Sequence, residues 1–481
     1  TNLFVQAAQR YGPQQVAAIT YTRTAAEELR QRLAVKLGVQ DTTPRGLKRA
    51  LPLVGTIHSL AFGLLGMNDK QMANKHFQEF ADYVHIQAPP EKYSKAVEYS
   101  DAYWWASEGD ASSEAEAMLQ CVAASRHQGI SAEEAFDQLP VAKQLQTDSG
   151  RIAWLAEQYA LWKREADLLD FEDLLSEGMK VPLPAKILFL DEAQDSSKLQ
   201  WACVNAWAER TERFISAGDP YQAIFLFQGG APEIFLSQPG NVTTIPVSHR
   251  LDQRGVEYCR SILWKGGWPG VLADWRGEGG EARDGTEFYL GRTHLIVSQW
   301  ESMHQREGTP YLGLAGWSPY TSRAADAYRA LKTVDEMGSL HAEQLKKIVA
   351  ELPAGLFPRG TKAQVDKMQG DADWPSTFPD THTCAERLPY YWYFRAIERV
   401  NGERGMYMTP KVSLGTIHSA KGRECDSCYL ASSWAFRPAR EAAASVEGMR
   451  NEALIAYVGT SRARRGTEIV EGFPGERYDW P

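Results

Sequence analysis

The run KILFLDEAQDSSKLQ, residues 186–200, decides the fold. Four apolar residues lead straight into Asp191 and Glu192, and Gln194 and Asp195 follow at once. A short apolar run that stops in acids reads as a buried strand whose carboxyl end is a ligand-binding edge of an open α/β sheet. An aspartate there can hold a magnesium ion, and a glutamate beside it can orient or deprotonate a water. That is half of a nucleotide-hydrolysis site. The other half, a glycine-rich phosphate loop carrying a lysine, is not found in the 481 residues.

The neighbouring segments repeat the pattern. Residues 2–10 read as a helix with Leu3, Phe4, Ala7 and Ala8 on one side, followed by a turn at Gly12-Pro13. Residues 16–21 are a short apolar strand. Thr22 or Thr24 caps the next helix, AAEELRQRLAVKL, and Glu27 stands three residues beyond Thr24 in a capping box. PLVGTI, residues 52–57, is another strand running into His58 and Ser59. Strand followed by helix, repeated, implies a parallel sheet. From about 67 to 169 the chain is polar and helical, and strand character resumes at 187–190 and 214–217. A second unit begins near 240, with strands expected at 242–247, 286–290, 412–416 and 468–470. Its residues 320–405 are mostly helical or irregular. The plan is two α/β cores, each interrupted by a helical insertion.

Composition excludes several classes. No stretch has 18 uninterrupted apolar residues, so no membrane partner is expected. The first residues, TNLFVQAAQRYG, lack the basic region and cleavage pattern of a signal peptide. Six scattered cysteines argue against a disulfide scaffold and fit a reducing, cytoplasmic setting. Cys425 and Cys428 have CxxC spacing but no second pair nearby, which argues against zinc. The net charge of −9 leaves room only for a local basic channel if nucleic acid is bound.

Four further segments carry chemistry. FISAGDPYQAIFLFQGG, residues 214–230, ends a strand in Gly218-Asp219; Gln222 can touch both water and phosphate, and Phe225 and Phe227 can stack on bases or pack. Arg250 in VSHRLD and Arg462 in YVGTSRARR suit a developing phosphoryl charge, because a planar donor fork matches phosphate oxygens. GTIHSAKGRE, residues 415–424, offers Thr416, His418, Ser419 and Lys421 to a nucleic-acid phosphate and Glu424 to a ribose hydroxyl. GTIHS also occurs at 55–59, with Thr56, His58 and Ser59, so each α/β unit has one copy.

The order of these blocks resembles the UvrD/Rep family of superfamily 1 DNA helicases almost end to end. AAITYTRTAAEEL (17–29) resembles motif Ia, with Tyr21 at its strand-contacting aromatic position and Thr22 and Arg23 beside it. VGTIHSLAF (54–62) resembles motif Ib, LLDFEDLL (168–175) the lead-in that closes the first insertion, and LDEAQD (190–195) the Walker B motif. GDPYQAIFLFQGG (218–230) resembles motif III, PVSHR (246–250) motif IV, VSLGTIHSAKGRECD (412–426) motif V and EALIAYVGTSRA (452–463) motif VI. YLGRTH (289–294) resembles a later strand of the family.

The resemblance implies two RecA-like parallel-sheet cores, 1A and 2A. Core 1A would comprise 1–66, without its Walker A loop, and 170–240, interrupted by helical insertion 1B at 67–169. Core 2A would comprise 241–319 and 406–481, interrupted by a short 2B at 320–405. It further implies an ATP-driven motor moving 3′ to 5′ on single-stranded DNA and at single-strand/duplex junctions, a monomer with replication or repair partners, in bacterial cytoplasm or in host cytoplasm if phage-encoded. ATP and magnesium are the implied cofactors. Asp191 would hold magnesium, Glu192 would activate water, and Gln222, Arg250 and Arg462 would assist; Gly218, Asp219, His249 and Glu424 would line the nucleotide. Tyr21, Thr22, Arg23, Thr56, His58, Ser59, Phe225, Phe227, Thr416, His418, Ser419 and Lys421 would meet DNA.

Departures from the family pattern are specific. Gln228 stands where motif III usually has arginine, His249 where motif IV has an adenine-stacking tyrosine, and Ala453-Leu454 where motif VI often has arginines. Arg23-Thr24 replaces a common Asn-Lys. Family members place a G-x-G-K-T loop before the first helix; here Thr1 is the loop's magnesium-binding threonine or its neighbour. The sequence therefore reads as a fragment of a helicase, unable by itself to hydrolyse ATP. The competing expectations are an ATP-independent DNA-binding protein derived from a helicase and the motor part of a helicase–nuclease.

Overall fold

In the computed structural model the chain divides into two compact units, Thr1–Val242 and Thr243–Pro481. The structure describes residues 2–88, 113–138, 147–226, 229–268, 274–434, 445–473, 475–478 and 480.

Unit 1 is built on four parallel strands: β1 (Val16–Ile19), β2 (Val54–Gly55), β3 (Ile187–Leu190) and β4 (Arg213–Ser216), in the order β2-β1-β3-β4. β1 and β3 run in register from Val16↔Ile187 to Ile19↔Leu190, and β3 pairs β4 up to Leu190↔Ser216. All four residues of β1 are buried, as expected for a strand covered on both faces. Because every pairing is parallel, the residues after β1, β2, β3 and β4 emerge along one edge. That edge collects the motif-like segments at 20–23, 56–59, 191–195 and 218–222. Helices Asn2–Tyr11 and Arg23–Leu37 pack on one face of the sheet, where Phe4, Leu33 and Val54 share a core. Helix Lys198–Ala208 helps cover the other, where Leu188, Trp201 and Trp207 share a second core.

The helix of residues 23–37 is capped by Thr22, whose hydroxyl accepts the Ala25 N–H at 3.1 Å. Thr24, the alternative cap, lies inside the helix. The insertion contributes helices Phe77–Tyr83, Glu114–Gln128, Ala132–Gln138 and Ser149–Glu165 around Phe80, Met118, Ile152 and Tyr159.

Unit 2 begins with the short parallel pair β5 (Val247–Ser248) and β6 (Arg276–Gly277). Residues 242–246 form no strand, correcting the longer one expected there: Val242 and Ile245 are 88% and 79% exposed, so this apolar run has no sheet to bury it. The main sheet adds β7 (Glu287–Gly291) and β8 (Tyr311–Gly313). An antiparallel pair, β9 (Ser339–His341) and β10 (Asp371–Asp373), lies in the otherwise helical insertion. The chain then returns as β11 (Val412–Thr416), β12 (Ser427–Ala431), β13 (Ser433–Trp434), β14 (Thr467–Val470) and β15 (Glu476–Arg477). The five-stranded order is β14-β12-β7-β11-β8, all parallel. Val412 and Ser427 both pair with Glu287, so residues 417–426 carry the chain from the carboxyl edge back to the amino edge. A core of Trp300, Tyr311, Tyr328, Phe394 and Leu414 joins the sheet to the helical insertion.

Candidate functional site

The turn after β3 carries the acids. Asp191 continues the sheet by donating its N–H to Ile19 O at 2.9 Å, and Ala193 N–H reaches Ala217 O at 3.0 Å. Between them Glu192 has φ +52°, a left-handed conformation that costs a non-glycine residue energy and is concentrated at functional turns. Asp191 accepts the Glu192 N–H at 3.1 Å and its side chain reaches solvent. The protein around its carboxyl and the neighbouring Glu192 charge nevertheless push its pKa up. Two adjacent acids of this kind are stabilised by a counter-cation. A magnesium ion bound with nucleotide needs only one or two protein carboxylates besides phosphate and water, so the pair fits it. Among the described residues no group of three or more acid, histidine or cysteine ligands forms a self-sufficient metal cage.

Gln194, passed over as a site residue in the sequence, connects this turn to the next one. It is fully buried, and its amide donates to Glu192 Oε2 at 2.6 Å while its oxygen accepts the Asp219 N–H at 3.0 Å. Gln222 in turn donates to Asp219 Oδ2 at 2.9 Å. A continuous hydrogen-bonded path therefore runs Glu192–Gln194–Asp219–Gln222. Gly218 makes room for it: a Cβ there would lie 2.2 Å from Gln194 Oε1.

The same edge holds the aromatic and threonine candidates. Tyr21 and Phe225, from different segments, stack on each other with centroids 5.6 Å apart and planes at 15°. Arg23 is exposed at the first turn of its helix, and Thr22 is spent on the cap. In the 55–59 turn, Thr56 Oγ1 accepts the Ser59 N–H at 3.3 Å and Ser59 Oγ donates back to Thr56 O at 2.9 Å. A Cβ on Gly55 would sit 2.4 Å from that hydroxyl. Thr56 and His58 are buried, leaving Ser59 as the exposed side chain of the three. Burial, with the nearby His127 adding to it, lowers the His58 pKa to about 3. Its imidazole is thus neutral, set edge-on to Phe171 at 6.0 Å rather than offered to a phosphate.

The 415–419 turn of unit 2 repeats this geometry. Thr416 Oγ1 accepts the Ser419 N–H at 3.2 Å, Ser419 Oγ donates to Thr416 O at 2.8 Å, and a Cβ on Gly415 would lie 2.5 Å from Ser419 Oγ. His418, Ser419 and Lys421 are half-buried here.

Glu424 lies at the opposite, amino edge of that sheet, within a cluster of arginines. It pairs with Arg250 at 3.1 Å, with Arg283 at 3.5 Å and with Arg464. Burial opposes its ionisation, but the Arg250, Arg464 and Arg283 charges leave its pKa below the usual carboxylate range. Arg250 also donates to Ser461 O at 3.1 Å, and His249 is exposed beside it. Arg462 points inward: it is 1% exposed, with Nε on Val458 O at 2.8 Å and Nη2 on Ser461 Oγ at 2.7 Å. Arg464 and Arg283 were not singled out in the sequence; the run SRARR was the signal for the first, and nothing local marks the second. Asp426 anchors the cluster's loop by accepting the N–H groups of Arg283, Asp284 and Gly285. Thr1 and Phe227, two further candidates, and Gln228 lie outside the described residues.

Comparison with known proteins gives related matches. The UvrD/REP helicase N-terminal domain matches residues 4–242. The ATP-dependent DNA helicase Rep of Buchnera aphidicola is 24% identical over 274 residues, covering 51% of this chain and 37% of that protein. The putative ATP-dependent DNA helicase YjcD of Bacillus subtilis is 22% identical over 236 residues, covering 47% and 28% respectively. The RecBCD enzyme subunit RecB of Mycobacterium tuberculosis is 33% identical over 81 residues, 16% of this chain and 7% of that protein. The matches thus span well under half the length of these relatives.

Proposed function

The chain belongs to the UvrD-like helicase family, and on that premise we propose that it acts in an ATP-dependent DNA helicase or translocase that moves 3′ to 5′ on single-stranded DNA. The observation that carries this reading is the path Glu192–Gln194–Asp219–Gln222 at the carboxyl edge of a parallel sheet. Asp191 would hold magnesium, which when bound neutralises phosphate charge. Glu192 orients a water and takes its proton on the carboxylate, held in place by the Gln194 amide. Gln222 contacts the same water or the phosphate. Arg250 contributes charge stabilisation once it exchanges Glu424 for a phosphate oxygen. Arg462, bound to the Val458 carbonyl and the Ser461 hydroxyl in its own unit, positions the segment around Ser461 and would stabilise charge on turning outward. In unit 1 DNA would meet the Tyr21–Phe225 pair and the 55–59 turn, and in unit 2 the 415–419 turn.

The test uses the intact gene product. Single-stranded-DNA-stimulated ATP hydrolysis is measured for the unaltered protein and for Glu192→Gln. General-base removal predicts a fall of roughly 10²–10⁴-fold in turnover with nucleotide binding retained. Retained turnover refutes the role of Glu192; strand binding without any ATP turnover in the unaltered protein favours a nucleotide-independent binding protein. Displacement from 3′-tailed but not 5′-tailed duplexes checks the polarity.

A further inference from the structure

His127 belongs to the helical insertion, which contributes none of the candidate catalytic residues, yet it sits where the site's segments converge. It lies in the last turn of the Glu114–Gln128 helix and is fully buried. Its Nδ1 lies 2.7 Å from Ser197 Oγ, and its Nε2 lies 3.6 Å from Glu172 Oε1. The tautomer with Nε2–H toward Glu172 and Nδ1 accepting the Ser197 hydroxyl proton serves both neighbours. Ser197 Oγ still accepts the Gln200 N–H at 3.2 Å and so caps the helix that follows the acid turn. Gly229 packs on the same residue, a Cβ there falling 3.3 Å from His127 Cβ.

The two sides of His127 lead to different functions. On one side, Glu172 and the adjacent Phe171 border His58 of the 55–59 turn. On the other, Ser197 follows directly on the turn in which Asp195 N–H bonds Glu192 O at 3.0 Å and Gln194 holds the Glu192 carboxylate. The insertion cannot shift freely beneath them: Arg126 binds Asp173 at 3.3 Å and Ser176 at 2.7 Å, and Lys163 pairs with Asp170 and Asp173.

We propose that His127 is a positioning residue that couples strand occupancy at the 55–59 turn to the alignment of Glu192. The proposal rests on the helicase reading above. A displaced strand-side turn moves Glu172 against His127, and His127 cannot yield without stranding the Ser197 hydroxyl or its own ring in a buried site. The strand-binding turn and the acid turn therefore respond to each other through the insertion, in addition to any coupling through the sheet.

The experiment compares the unaltered intact gene product with His127→Ala, His127→Asn and Ser197→Gly. ATP hydrolysis is titrated with a single-stranded oligothymidylate, and strand affinity without ATP and the melting midpoint are measured alongside. His127→Ala is expected to lower the maximal stimulation by DNA about tenfold, or about 1.4 kcal/mol of coupling, without weakening strand affinity in parallel. His127→Asn, whose amide reaches the Nδ1 position, is expected to restore most of the stimulation. Ser197→Gly removes the same bond from its other end with little loss of capping, and carries the test if the alanine variant does not fold. Unchanged stimulation in His127→Ala and Ser197→Gly overturns the proposal. So does a loss shared equally by the alanine and asparagine variants and matched by weaker strand binding. Absence of DNA-stimulated hydrolysis in the unaltered protein overturns the helicase reading itself, and with it this inference.

Discussion

At the scale of single residues, the site depends on how closely two turns approach. Gly218 is not needed for an unusual φ but for space: a Cβ would meet Gln194 Oε1 at 2.2 Å and the backbone nitrogens of Ala193 and Gln194 at 3.2 and 3.3 Å. The side-chain oxygen can rotate away, but the backbone atoms yield little. Gly218→Ala is therefore expected to release the Gln194 amide from Glu192 and to cost about 1–3 kcal/mol of overpacking strain. ATP turnover should fall far more than nucleotide affinity, and the melting midpoint should drop. Normal turnover in this variant would mean that Gln194 does not hold the acid. The places of Asp191, Glu192 and Gly218 beyond strand ends were legible because a strand end in acids and a strand end in Gly-Asp are local patterns. Gln194 was not, since a glutamine two residues after an acid gives no sign of bridging to another strand. Arg462 was legible as a cation, but its inward guanidinium depends on carbonyls at Val458 and Arg423 that only the fold supplies. Likewise the acids of DFED read as a lead-in segment, whereas their partners Lys163, Arg126 and His127 come from the insertion.

At the scale of elements, the two GTIHS copies show why a five-residue repeat encodes one turn. Glycine lets the serine hydroxyl fold back over the strand end, threonine caps the helix, and serine returns its proton to the threonine carbonyl. Thr56→Ala and Thr416→Ala should each cost about 1 kcal/mol through loss of the cap, and Thr→Ser at either place much less. Urea midpoints of the four variants check this; equal losses for alanine and serine would assign the cost to the buried methyl rather than to the cap. The strands at 187–190 and 412–416 were legible as apolar runs with definite ends. The expected strand at 242–247 shrank to two residues because apolar composition alone does not create a neighbour to pair with. β8 and the β9–β10 pair escaped notice, being only three residues each and dependent on distant partners for register.

At the scale of the whole molecule, each unit has its own parallel sheet, its own core and a buried histidine whose pKa is lowered, His58 in unit 1 and His304 in unit 2, so each carries a built-in sensitivity to acid. In unit 1, burial first and His127 next lower the His58 pKa to about 3; in unit 2, burial lowers that of His304 to about 4, and neither of its ring nitrogens has a hydrogen-bond partner among the described residues. The sign follows from the unfolded chain, where histidine takes up a proton near pH 6.5. The stabilisation from keeping His58 neutral is fully present above that value. It is lost as pH falls, at up to about 1.4 kcal/mol per unit, until the folded pKa near 3 is reached. Going from pH 7 to 5 should thus cost unit 1 about 2 kcal/mol from this group, with His304 acting in the same direction on unit 2. In unit 1 the buried Asp170, whose pKa burial raises to about 7, titrates in the same window, so the histidine contribution is read from variants that alter the imidazole alone. His58→Gln should flatten the dependence of the unit 1 urea midpoint on pH between 6.5 and 5, and His304→Gln should do the same for unit 2. If the slopes of both variants match that of the unaltered protein, the acid sensitivity arises elsewhere and the buried imidazoles are not its cause.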